Sequence, residues 1–159
     1  MSLILRTIEF LGLSLWLGSD VFLSFVVAPG AFRVLAPSRD QAGAVVGYSL
    51  TRMHLLGIAF GVALLVARLI RTRTFASFTT PAALCVVLMI ALTTISQYTV
   101  SAKMAGLRMQ MGSIQSTAAD NPLLAEFMRL HGISMSLEGG VLLAGLVALY
   151  LMVRELASS

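Results

Sequence analysis

The sequence predicts an all-α integral membrane protein, a four-helix bundle in antiparallel up-down order. Two observations carry this reading. Hydrophobic residues fill 58% of the 159 positions and charged residues only 11%, whereas soluble domains average about 25% charged. The apolar residues also gather in four runs, 3–28, 42–69, 79–102 and 124–153, each longer than the ~20 residues a helix needs to cross about 30 Å of hydrocarbon. The stretches between them are too short for a separate soluble domain, so 1–159 reads as one transmembrane domain.

The first run holds Glu9 and Asp20 and is too long for a cleaved signal segment, so it is expected to be retained. Pro29 and Gly30 should end it, and Pro37, Ser38 and Asp40 make a turn before the second helix. Arg52 on that helix is expected to reach toward the first loop or to pair with Asp40. Thr79, Thr80 and Pro81 open the third helix, with proline in the first turn where its missing N–H does no harm. Asn121 and Pro122 repeat the device before the fourth. Between these, Lys103, Met104, Arg108, Met109 and Met111 lie in a partly amphipathic stretch, expected as a short helix on the membrane surface.

Charge bounds the partners and the orientation. A net charge of +4 suits a membrane surface, and no clustered basic face outside the membrane offers itself to nucleic acid. Arginine and lysine near the helix ends divide equally between the two sides. The acid-free group Arg68, Arg71 and Arg73 then favours cytoplasmic termini in a bacterial inner membrane. Cys85 is the sole cysteine, so no intrachain disulfide is possible.

Function is most legible in the polar residues inside the apolar runs, because an ionisable side chain in hydrocarbon costs at least ~2.5–3.5 kcal/mol and needs a partner or a purpose. Helical phase sorts them. Glu9, Leu13, Trp16 and Asp20 share one stripe of the first helix; Gly43, Gly47, His54, Gly57, Gly61 and Arg68 share one of the second. Thr94, Gln97, Tyr98 and Ser101 fall on one face of the third, and His131, Ser134, Met135 and Glu138 on one of the fourth. With alternating helix directions, Asp20, His54, Gln97, Tyr98 and His131 come to lie roughly 6–15 Å below the side of the first and third loops, with Glu138 about 10 Å deeper than His131 on the same stripe. A polar cavity in one half of the bundle is therefore expected, lined by these residues with Ser134, Met135 and Trp16 nearby.

Three readings fit such a cavity. His54, His131, Asp20 and Glu138 have the chemistry to hold a metal ion, copper or a divalent first-row ion, or another small cation whose binding or transport is coupled to protonation. The two histidines at similar depth are also candidate axial ligands for a haem. Alternatively the polar residues only hydrogen-bond the helices together in a structural or interaction protein. No HExxH or CxxC spacing selects among them, and no nucleophile with a suitably placed base points to an enzyme. The pairs Gly43/Gly47 and Gly57/Gly61, with Gly132 and Gly140 on the fourth helix, mark faces for close helix packing, within the chain or in a homo-oligomer. The methionines, Met128 and Met135 included, are expected mostly to fill gaps.

Two segments carry a family resemblance: WLGSDVFLSFVVAPGAFRVL at 16–35 and FMRLHGISMSLEGG at 127–140, with AGAVVG at 42–47 between them. The most specific part is His131, Gly132 and Ser134 after Phe127 and Arg129. In these the chain resembles the transmembrane protein 205-like family, which includes a bacterial domain of unknown function. The connection between the third and fourth helices is shorter here than in the eukaryotic relatives. The resemblance implies a four-helix membrane protein. An animal member is linked to resistance to platinum drugs, which points toward soft metals.

Overall fold

Each apolar run is the centre of a longer helix. The computed structural model describes residues 2–157, and its four helices span Ser2–Val34 (α1), Arg39–Thr72 (α2), Pro81–Met111 (α3) and Pro122–Ala157 (α4), all long and apolar enough to cross a membrane. Among the described residues there is no strand. At ~1.5 Å per residue the helices are roughly 45–55 Å long, so their ends pass beyond a hydrocarbon core of about 30 Å into the headgroup zone. Polar caps set the limits there. Ser38 Oγ accepts from the Gln41 amide at 3.3 Å to start α2, and Arg73 at φ 56° closes it. Thr80 Oγ1 accepts from the Ala83 amide at 3.4 Å to start α3, which Gly112 ends at φ 71°. A 3-10 turn, Phe75–Thr79, joins α2 to α3.

Two segments depart from the expected pattern. Pro29 does not stop the first helix: the chain passes through a π-helical turn, Leu23–Val27, and resumes as α-helix over Ala28–Val34. The Ala28 amide bonds to the Leu23 carbonyl five residues back, and this wider turn loosens the segment against which the Pro29 ring would otherwise clash. Nor does the stretch after Lys103 lie apart on the surface. A second π turn, Ser96–Ser101, leads straight into Ala102–Met111, which packs along α4. No residue before Gly112 breaks the helix there.

The helices form a ring, α1 against α2, α2 against α3, α3 against α4, and α4 back against α1. Leu13, Trp16, Leu17, Leu64, Val86, Met89, Val141 and Ala148 fill its centre. Lipid tails are as apolar as these side chains, so close fit and interhelical hydrogen bonds hold the helices together rather than escape from water. The closest fit is Trp16 over α2. A Cβ on Gly57 would stand 2.3 Å from the indole nitrogen, and one on Gly61 2.6 Å from the ring. The second expected glycine pair divides: Gly43 lies under the Arg108 side chain, whereas Gly47 faces open space. On α4, Gly140 meets Leu92 and Gly132 has nothing near it.

The four helix ends nearest the termini are tied by ions. Glu9 receives Arg71 Nε at 2.6 Å and Nη2 at 3.1 Å. Arg68 Nη2 donates to Glu155 at 2.7 Å and to Thr80 Oγ1 at 2.9 Å, and its Nη1 lies 3.7 Å from Glu9. These contacts join α1, α2, α3 and α4. The arginines read from sequence as markers of orientation are thus also structural, and Glu9 gains partners that the sequence did not reveal.

Candidate functional site

The buried polar groups at mid-height converge on one imidazole. His54 stands fifteen residues after Arg39, about 22 Å along α2, and is fully buried. Its Nδ1 is 2.8 Å from Gln97 Oε1 on α3, and its Nε2 is 2.7 Å from Glu138 Oε1 on α4. Ser96 Oγ donates to the same carboxylate oxygen at 3.0 Å. Asp20 on α1, also buried, accepts from Ser24 Oγ at 3.3 Å and interacts electrostatically with both His54 and Glu138. Each of the four helices contributes.

The π turns position two of these groups. Ser96 and Gln97 lie in the first residues of the turn in α3, and the turn in α1 begins three residues after Asp20 and contains its donor Ser24. Ser96 follows Met89 and Thr93 at ordinary helical spacing, and Gln97 beside it reaches His54 from within the wider turn. Such turns often accompany functional sites.

Hydrogen bonding leaves the cluster incomplete in an informative way. Glu138 Oε2 and Asp20 Oδ2 are both buried with no hydrogen-bond partner. His54 has acceptors at both ring nitrogens as placed, which suits an imidazolium donating to each. A half-turn of the Gln97 amide would present its NH₂ to a neutral ring, because that amide carries donors at one end and an acceptor at the other. The surroundings therefore tolerate His54 with or without its second proton. Even with His54 charged, two ionised carboxylates would leave the cluster one negative charge in excess.

The remaining candidates lie elsewhere. His131 is exposed on the outside of the bundle and stands seven residues, about 10 Å, from Glu138 along α4. At its height α4 packs through Phe127, Leu130 and Ser134 instead. His54 and His131 therefore do not face each other as a haem's two axial ligands would. Tyr98 is 62% exposed and Met135 64%, because the inner face of α3 runs through Met89, Thr93, Ser96 and Val100. Trp16 is packed, not open to a cavity, and its indole N–H has no partner. Glu138 is level with His54, meeting its Nε2 at 2.7 Å, instead of forming a floor below it. Arg52 lies over the Tyr48 ring at 5.2 Å, and Asp40 instead accepts from Ser113 Oγ and the Ile114 amide at 2.9 Å. Among the described residues no group of three or more His, Cys, Asp or Glu side chains is placed to hold a metal ion.

The family described as "Domain of unknown function (DUF4149)" matches residues 11–113. The chain belongs to this family. The match runs from within α1 to just past the end of α3 and so takes in Asp20, His54, Ser96 and Gln97, while Glu138 and the rest of α4 lie beyond it. No curated protein and no solved structure matches the chain.

Proposed function

We propose that this membrane protein binds a small cation at the mid-membrane cluster of Asp20, His54 and Glu138, and that the cation is in the first instance a proton. The observation that carries the reading is the pair of buried carboxylate oxygens without partners in a cluster that stays negative unless it takes up positive charge. Intramembrane carboxylates and histidines mark proton and ion pathways more often than they serve as packing. A proton or monovalent cation suits two carboxylates better than a transition metal does, which asks for a converging ligand set. Transport would follow if the occupied and empty cluster faced opposite sides of the bilayer. The end-to-end ion pairs and short turns support an up-down helix order. The resemblance of 127–140 to transmembrane protein 205-like proteins supports extending the family relationship through α4.

The test is proton uptake into proteoliposomes carrying an internal pH dye, under an imposed membrane potential. Wild-type protein should acidify the lumen, and Asp20→Asn, Glu138→Gln and His54→Gln should each reduce the rate to that of empty liposomes. Equal rates in wild type and Glu138→Gln would refute the reading. Metal analysis of protein purified without chelator closes the other arm: stoichiometric copper or zinc that disappears in His54→Ala would replace the proton by a metal.

A second reading rests on His54 bridging α3 and α4 by two hydrogen bonds. In it the cluster is a structural tie, and all three substitutions lower thermal stability without any effect on proton uptake.

A further inference from the structure

A second polar site lies at the terminus end of the bundle, well away from His54. There a cavity of about 380 Å³ opens between α1, α2, α4 and the Phe75–Thr79 turn, lined by Arg6, Arg68 and Arg71 against Glu9 and Glu155. The ion pairs do not satisfy Arg68. Its Nη2 is shared by Glu155 and Thr80, while its buried Nε has no hydrogen-bond partner, and the residue as a whole is only 3% exposed. A guanidinium so deeply placed, on a residue that lines a cavity and with one donor unused, is short of an acceptor. Ser77 and Thr80 add hydroxyl groups to the wall, and Phe10 and Met152 an apolar side.

We propose that this cavity binds a phosphate-bearing anion, either the headgroup of an anionic phospholipid or a free phosphate group, through Arg68 and Arg71. Phosphate suits the site for two reasons. It accepts several hydrogen bonds at once, and the planar fork of arginine matches its oxygens. The helix ends also reach the headgroup zone, where lipid phosphates are concentrated. A lipid would in addition lay its acyl chains against the side of Phe10 and Met152. Glu9 and Glu155 compete with the ligand for the same guanidinium groups, so the site should respond in opposite senses to loss of an arginine and loss of an acid.

That opposition is the test. The full chain is purified in detergent and titrated with phosphatidylglycerol, with phosphatidylcholine and with inorganic phosphate, following bound lipid by native mass spectrometry and phosphate by ³¹P NMR line broadening. Wild type should retain phosphatidylglycerol over phosphatidylcholine. Arg68→Gln should weaken retention about ten-fold or more, as for loss of a hydrogen bond to a charged group. Glu9→Gln should strengthen it several-fold. Should Arg68→Gln fail to fold, the gain in Glu9→Gln and a loss in Arg71→Gln decide the matter. Binding of inorganic phosphate at the same residues would assign a free phosphate, and phosphatidylglycerol retention without it a lipid. Equal retention of the two lipids with no response to phosphate, or no gain in Glu9→Gln, would overturn the proposal.

Discussion

His54 and Glu138 lie 84 positions apart in sequence and meet at 2.7 Å, ring nitrogen to carboxylate oxygen, at mid-height of the bundle. Breaking a buried pair by removing one partner costs ~3–5 kcal/mol in water-soluble proteins, but interhelical hydrogen bonds in membranes average nearer ~0.6 and reach ~1.7. With His54 fully buried, a double-mutant cycle of His54→Ala and Glu138→Ala should give a coupling near the top of the membrane range, read from unfolding in mixed micelles. Glu138→Gln alone should be the milder single change, because glutamine keeps an acceptor for His54 and Ser96.

Gly57 should tolerate nothing larger than hydrogen. Gly57→Ala pushes a methyl group into the Trp16 indole and is expected to cost ~1–3 kcal/mol, the range for overpacking. Gly47→Ala, facing open space, should stay within ~0.5 kcal/mol. Trp16→Leu should remove most of the Gly57→Ala penalty, and thermal melts of the four proteins would show it.

Glu9 should matter far more than its place near a helix end implies. Glu9→Ala leaves Arg71 without its carboxylate and Arg68 with Glu155 alone, and should cost toward the lower part of ~3–5 kcal/mol. Glu126→Ala, which breaks an exposed pair with Arg129 on one helix, should leave the melting temperature unmoved. Equal effects of the two would show that the end cluster is solvated like any surface pair.

His131→Ala separates the two histidines functionally. It should change stability by no more than ~0.5 kcal/mol and leave proton uptake into proteoliposomes intact, whereas His54→Ala should abolish uptake.

For orientation, we expect the turn after α2 to face the cytoplasm. Arg73→Cys in a Cys85→Ser background should react with a membrane-impermeant maleimide in inverted vesicles and not in intact cells.

Much of this architecture was legible because helical phase persists along α1 and α2: Trp16, Asp20, His54, Gly57, Gly61 and Arg68 all face inward as their spacing requires. The same reasoning failed on α3, where the polar spacing draws the inner face through Gln97 and Tyr98. The buried stripe runs beside it through Met89, Thr93, Ser96 and Val100, so Ser96 replaces Tyr98, and the apolar residues all round this helix do not mark which face is inner. It failed on α4 for another reason. His131 and Glu138 do share a stripe, but burial at a given height depends on where the neighbouring helix lies, and hydropathy carries no such information. The Glu9, Arg68 and Arg71 contacts were hidden likewise, since a charge count near helix ends cannot say which ends touch.

The π turn of α3 has a consequence for how the chain tolerates change in length. It stores one residue more than a regular α-helix of the same rise. Deleting a residue within Ser96–Ser101 would let the backbone relax to an unbroken α-helix and leave the stretch down to Met111 near its present orientation, with Arg108 still over the Phe127 ring, 5.8 Å away. In a helix without such a turn the same deletion would swing everything beyond it through about 100°. A one-residue loss that elsewhere works like slipping one tooth of a gear is here taken up as slack, and α3 stays engaged with both α2 and α4 at the far end of the bundle.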